Sequence, residues 1–208
     1  MTKPTGVVND DVMAMIFTID DSAGVVTTPS GWTYVDDISN GSGLFRTYIF
    51  RKVAASEPAD YSVSYTVATT GAGSILAYSG VSTTTPIDVY AESTPAASAA
   101  PASPSITPTG NDCMIVALFG NSNADGGDTG TPDTSPAATE RLDYSQTGAL
   151  FIRHYGEDFL QGTAAAATLD LTNSLSRNWT AYTLALKPAG PPPSTDVILP
   201  QSFRTRYA

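Results

Sequence analysis

The chain of 208 residues holds one cysteine, Cys113, and one histidine, His154. A disulfide within the chain is therefore impossible, and a Cys/His zinc site cannot be assembled from one copy of each. Positive charge is scarce too: 10 Lys+Arg stand against 20 Asp+Glu, a net charge of −10. That balance excludes a general nucleic-acid coat, whose affinity rests on cations facing phosphates. Charged residues make up only 14% of the chain, well below the roughly 25% of an average domain. No apolar run approaches the roughly 20 residues of a membrane span; Val12 to Phe17 is the longest early one, and no signal peptide is read. Helical periodicity is almost missing, and Ala164 to Ala167 is too short to stand alone as a helix. Hydrophobic residues nevertheless reach 41%, enough for a sizeable core.

What is present reads as strands. Val12–Phe17, Thr33–Val35, Leu44–Val53, Tyr61–Val67, Ser74–Tyr78, Cys113–Phe119, Ala149–Tyr155, Thr168–Thr172 and Trp179–Leu186 are apolar, β-branched or alternating. Gly, Pro, Asn, Asp and Ser separate them as turn formers. The runs repeat: Asn9-Asp10-Asp11-Val12-Met13 resembles Gly110-Asn111-Asp112-Cys113-Met114, and Gly43-Leu44-Phe45-Arg46 resembles Ala149 to Arg153. The offset is about 101 at first and 105 to 106 later. Each half alone offers too few short strands for a core. The expected fold is all-β: one two-sheet antiparallel β-sandwich, jelly-roll-like, spanning 1–187. Its two similar, interleaved halves (about 1–90 and 110–187) are joined by the Pro/Ala/Ser-rich bridge 91–109. Residues 188–208 form a proline-rich extended arm. From Lys187 onward three basic residues face one acidic one, interleaved with apolar side chains. Val197, Ile198, Leu199, Phe203, Arg204, Arg206 and Tyr207 are the expected partner-docking residues.

Pro29-Ser30-Gly31-Trp32-Thr33, then Phe50-Arg51-Lys52-Val53-Ala54, Glu57 to Val63 and Ala77-Tyr78-Ser79-Gly80-Val81, in this order and spacing, resemble the β-sandwich domains of bacteriophage and prophage virion proteins. The resemblance covers roughly residues 4–187. It implies a structural or binding role at the virion surface, on a protein made in the host cytoplasm, and brings no catalytic motif. Such domains carry a strand before the segment matching Lys3-Pro4-Thr5-Gly6, and here Met1 stands almost at that point. A sheet edge is therefore expected to be open, with the C-terminal arm, or that of a neighbouring copy, lying along it.

No triad is expected around His154, which sits in a strand-like run without a nucleophile elbow. Glu157 and Asp158 are adjacent, so they point to opposite faces and cannot converge on a glycosidic bond. Asn121, Asn123, Asp125 and Asp128 imitate the start of a calcium loop, but the twelfth position is Pro132, so calcium is a weak candidate and no cofactor is expected. Trp32, Tyr34 and Trp179 are candidate glycan contacts through their flat faces, with core packing as the alternative for the two tryptophans. The reading is a non-enzymatic virion structural protein, a capsid decoration or cement protein. It docks on neighbouring virion proteins, the major capsid protein among them, as a homo-oligomer, without nucleic acid or membrane. A host-glycan-binding tail or fibre module, or a tail or neck component, is the alternative.

Overall fold

Val12 to Ile19 is apolar at nearly every position, the pattern of a strand covered on both faces. In the computed structural model, which describes residues 1–122, 128–146 and 151–190, this segment is β1, the interior of a four-stranded antiparallel sheet. β3 (Thr33–Ser39), β4 (Arg46–Val53) and β6 (Gly71–Tyr78) complete it, in the order β3-β4-β1-β6. A second sheet has β8 (Cys113–Ser122) at its centre. Around it stand β10 (Thr139–Ser145), β11 (Ile152–Gln161), β13 (Thr180–Leu186) and β7 (Ile87–Ser93), in the order β10-β11-β8-β13-β7. Two short ribbons lie outside the sheets: β2 (Val26–Thr27) with β5 (Ser64–Tyr65), and β9 (Gly130–Thr131) with β12 (Thr172–Asn173). The described residues contain no helix, hence none long and apolar enough to cross a membrane.

The all-β sandwich expected from the sequence is the observed fold. The halves are not interleaved as expected, however. Each builds its own sheet with one strand order, and only β7 crosses over to the other sheet. Sheet register places Phe17 opposite Tyr48 and Gly73, and Phe119 opposite Tyr155 and Ala181. Phe17 thus corresponds to Phe119, an offset of 102 rather than 101. The difference matters because an odd shift turns every side chain to the other face. Val12, Ala14 and Ile16 meet Val116, Leu118, Tyr182 and Leu184 in the core between the sheets. Met13, Met15 and Phe17 face outward under Trp32, Tyr61 and the β2–β5 ribbon. Their counterparts Ile115, Ala117 and Phe119 lie under Trp179, Leu169 and Leu171. The bridge 91–109 does more than connect: Ser98, Ser103 and Ile106 hydrogen-bond to Arg177, Leu169 and Ala167, and Ile106 enters the outer core of the second sheet.

The repeat extends to charge. Arg46 pairs with Asp37 in the first sheet, and Arg153 with Asp143 in the second. Each Arg stands at the corresponding register beside a serine, Ser39 or Ser145. The two pairs differ in burial: the Arg46 side chain is 31% exposed and that of Arg153 is 0% exposed.

Candidate functional site

Three groups of residues were expected to carry function, and the fold treats them differently. The arm residues Val197, Ile198, Leu199, Phe203, Arg204, Arg206 and Tyr207 lie outside the described residues. Of the aromatic trio, only Tyr34 offers a face to solvent. Trp32 is buried edge-on against Tyr61, and Trp179 edge-on against Phe119 with its indole N–H donated to the Ser98 carbonyl. The glycan-contact reading is therefore corrected at both tryptophans: each outer sheet face needs a large apolar lid, and these rings supply it. In the calcium candidate, Asn123 and Asp125 lie outside the described residues. Asn121 is a buried β8 residue opposite Arg153, and the Asp128 carboxylate receives the Arg177 guanidinium at 2.9 Å. Asp128 is thus neutralised by a cation of the chain itself. No group of three or more metal-ligating acids, His or Cys occurs among the described residues.

Glu157 and Asp158 do face opposite ways. Glu157 accepts the Asp133 backbone N–H at 2.8 Å, whereas Asp158 accepts from Arg141 at 2.8 Å. Burial pushes the Glu157 carboxyl up to about 7; the Asp133 N–H works against this, and the carboxylates of Asp133, Asp170 and Asp158 add to it.

His154 belongs to a polar seam that joins the sheets. Its Nε2 lies 3.1 Å from Thr18 Oγ1 and its Nδ1 lies 3.0 Å from Ser74 Oγ, both on the opposite sheet. Thr18 Oγ1 is 2.9 Å from Thr47 Oγ1, which is 2.7 Å from Thr180 Oγ1. The Tyr182 hydroxyl donates to the Thr47 carbonyl at 3.0 Å. A neutral imidazole has one donor and one acceptor nitrogen, which two hydroxyls satisfy. With its ring enclosed, His154 is pushed down to about 3 by desolvation. Gly120 makes room for the seam. A Cβ there would lie 2.8, 2.9 and 3.1 Å from the hydroxyl oxygens of Thr47, Thr18 and Thr180. Sequence reading placed His154 in a strand but not in this seam, because its partners are 80 and 136 residues away.

The remaining feature is an unfilled place in the layers. Sheet one has four strands and sheet two has five. By the repeat, β6 corresponds to β13, and β13 pairs with β7 on its outer side. Among the described residues β6 pairs only with β1, so the position matching β7 is open. β10 and β11 pack opposite β6. A depression of about 640 Å³ lies along the first part of β6, between Met1, Phe17 and Tyr65 on one side and Tyr144 and Gln146 of the other sheet. Depressions of about 460 and 330 Å³ continue past Leu76 to Tyr78, Ser79 and Arg141. Burial records the same asymmetry: β13 is buried throughout, whereas β6 is half-buried at every residue except Ala72. Comparison of the chain with family models, with curated proteins and with solved structures found no match.

Proposed function

We propose that the chain is a structural protein of a bacteriophage particle, a decoration or cement protein on the virion surface that binds neighbouring subunits through extended segments. The observation that carries the binding part is the slot beside β6. It runs along the eight residues of β6, whose outward row of backbone groups a polypeptide satisfies. Among the described residues, several side chains with reactive potential lie in the interior. His154 serves the seam, Cys113 and Glu157 are buried, and Arg153 is held by Asp143 and Asn173. The particle itself enters through the sequence resemblance from Pro29 to Val81. A rigid sandwich with a charge of −10 suits a particle exterior, where repetition turns a modest affinity per contact into firm attachment. Burial of Trp32 and Trp179 leaves the glycan-binding alternative with Tyr34 alone of its three aromatics.

The test is to mix the purified protein with undecorated heads and with tail-bearing particles and locate it by cryo-electron microscopy. Regular density on the head lattice is the expected result. Density on the tail alone, or on neither, overturns the decoration reading.

A further inference from the structure

We propose that the slot beside β6 takes an extended, uncharged polypeptide segment of another protein as the fifth strand of the first sheet, with large apolar side chains on the segment's outer face and small hydroxyl-bearing ones on its inner face. The inference rests on the slot being the binding surface, and it does not depend on which particle carries the partner.

Three observations lead there. The first is what the slot leaves uncovered on its inner side. His154 faces the first sheet through Thr18 and Ser74, so Tyr144, its register partner on β10, is turned the same way. Tyr144 is nonetheless 39% exposed, whereas Tyr182, likewise turned to the first sheet, is 0% exposed. Two residues further on, the Gln146 Oε1 is shut off from solvent and has no donor among the described residues. Both residues line the depression along the first part of β6. A side chain with a methyl group for the ring and a hydroxyl for the Oε1 serves both. The second is the outer side. Gly71 and Gly73 stand opposite Ile19 and Phe17, so they belong to the outer face. A Cβ at Gly71 would lie 3.0 Å from the Tyr65 ring, and one at Gly73 would collide with Met1 and Phe17. β6 therefore contributes no side chain at these two places, and Met1, Phe17 and Tyr65 lie against its backbone. Residues paired across strands share a face. Large apolar side chains set opposite the glycines thus pack on that wall, as aromatic residues do beside edge glycines.

The third is charge and space. β6 has no charged residue, and the charged side chains lining the three depressions are Asp11 and Arg141, one of each sign. Within a chain of net charge −10, a balanced lining matches an uncharged segment, and the surrounding field repels an acidic one. β10 packs against β6 and is the last strand of its own sheet, so it underlies the place of an added strand. A second copy approaching through its own β6 would bring its β10 into the same space, which obstructs a compact pair of sandwiches. A single extended segment carries no second layer and enters by backbone pairing.

The experiment titrates the full chain, diluted until light scattering gives the mass of one chain, with the capped peptide Lys-Thr-Phe-Thr-Val-Thr-Phe-Thr-Lys. The control is Lys-Phe-Phe-Val-Thr-Thr-Thr-Thr-Lys, which has the same composition and charge without the alternation. Amide hydrogen exchange read by NMR locates the bound peptide. With the alternating peptide in excess, alternate β6 amides, those turned away from β1, are expected to exchange at least about tenfold more slowly. The control is expected to bind at least about tenfold more weakly, and Gln146→Leu to weaken the alternating peptide about fivefold. Absence of β6 protection overturns the proposal, as do equal affinities for the two peptides or an unchanged affinity in Gln146→Leu. A peptide-free dimer that persists on dilution and protects the same amides also overturns it, and assigns the slot to a second copy. No particle takes part. A chain that decorates heads without taking up the peptide defeats this inference alone, and one that takes up the peptide but binds no heads defeats the particle reading alone.

Discussion

Two buried groups on one strand set opposite pH dependences, and their near-cancellation can be tested. His154 is held neutral down to about 3 against an ordinary 6.5. Between those values the unfolded chain binds the extra proton, so stability is complete above 6.5 and is lost on acidification. Each pH unit is worth about 1.4 kcal/mol. The whole interval of about 3.5 units removes about 5 kcal/mol. Glu157 has the opposite sign. Its folded carboxyl keeps a proton up to about 7, while the unfolded one releases it near 4.5. Its contribution is complete below 4.5 and is lost as pH rises through 7, so acidification from 7 to 4.5 stabilises the fold by at most about 3 kcal/mol. Between 6.5 and 4.5 the two slopes oppose each other and stability stays level. Below 4.5 the gain at Glu157 is exhausted and the loss at His154 continues, by about 2 kcal/mol down to pH 3. Glu57 and Asp88 add to this loss. Burial raises the Glu57 carboxyl, but hydrogen bonds from Lys52, Tyr61 and the Ala55 N–H outweigh it and hold it low; the Thr109 hydroxyl and N–H hold Asp88 low.

Urea unfolding followed by the fluorescence of the two buried tryptophans measures this directly. The native protein is expected to show level stability from pH 6.5 to 4.5 and a steep fall below. Glu157→Gln removes the compensating gain, so its stability falls by about 3 kcal/mol over the same interval. Parallel profiles for the two proteins between pH 6.5 and 4.5 would refute the reasoning.

Gly120→Ala puts a methyl group against three hydroxyls of the seam and is expected to cost about 2–3 kcal/mol in urea unfolding, since overpacking and a broken hydroxyl chain add. Arg153→Ala is expected to cost about 3–5 kcal/mol because it strands its polar partners beside a buried gap, whereas Arg46→Ala at the matching, more exposed pair costs under about 1 kcal/mol. Equal costs would contradict the difference in burial. Millimolar calcium is expected to leave the thermal midpoint unchanged, because Arg177 already neutralises Asp128; a rise of several degrees would show a site there. Removing residues 191–208 is expected to abolish binding to heads, and unchanged occupancy on cryo-electron micrographs would refute a docking role for the arm.

Strands buried on both faces were the legible ones. β1, β8 and β13 are predominantly apolar runs without charge, and composition alone marks them. β10, Thr-Glu-Arg-Leu-Asp-Tyr-Ser, is an edge strand with mostly exposed or half-buried residues, so no apolar run announces it. β7 alternates Ile87, Val89 and Ala91 with more polar neighbours but follows the turn-rich Thr83 to Pro86, which masks it. Tyr61 to Val67 alternates as a strand should, yet only Ser64 and Tyr65 pair with another strand; the segment lies over the outer face as a lid. The repeat was legible, but its offset was set by the Val-Met and Cys-Met pairs and was off by one. Only the register between sheets, with Phe17 matched to Phe119, fixes which side faces the core. The seam was beyond reach because hydroxyls and an imidazole carry no periodic signal, and their pairing depends on how the sheets stack.

That stacking also explains why one edge matters more than the others. β3, β10 and β7 are edges as well. β3 and β10 carry acidic residues, Asp36 and Asp37 or Glu140 and Asp143, and β7 carries Asp88 and Glu92. Charge along an edge disfavours pairing with another chain. β6, Gly-Ala-Gly-Ser-Ile-Leu-Ala-Tyr, carries none. It is therefore the uncharged edge among the four, and β10 and β11 of the partner sheet pack opposite it. An edge of this kind, left bare, is a site of aggregation. Left bare, it is expected to drive concentration-dependent, strand-mediated association. Light scattering at rising concentration reads this outcome, and a protein that stays monomeric while its outward β6 amides exchange freely would show that the edge needs no cover.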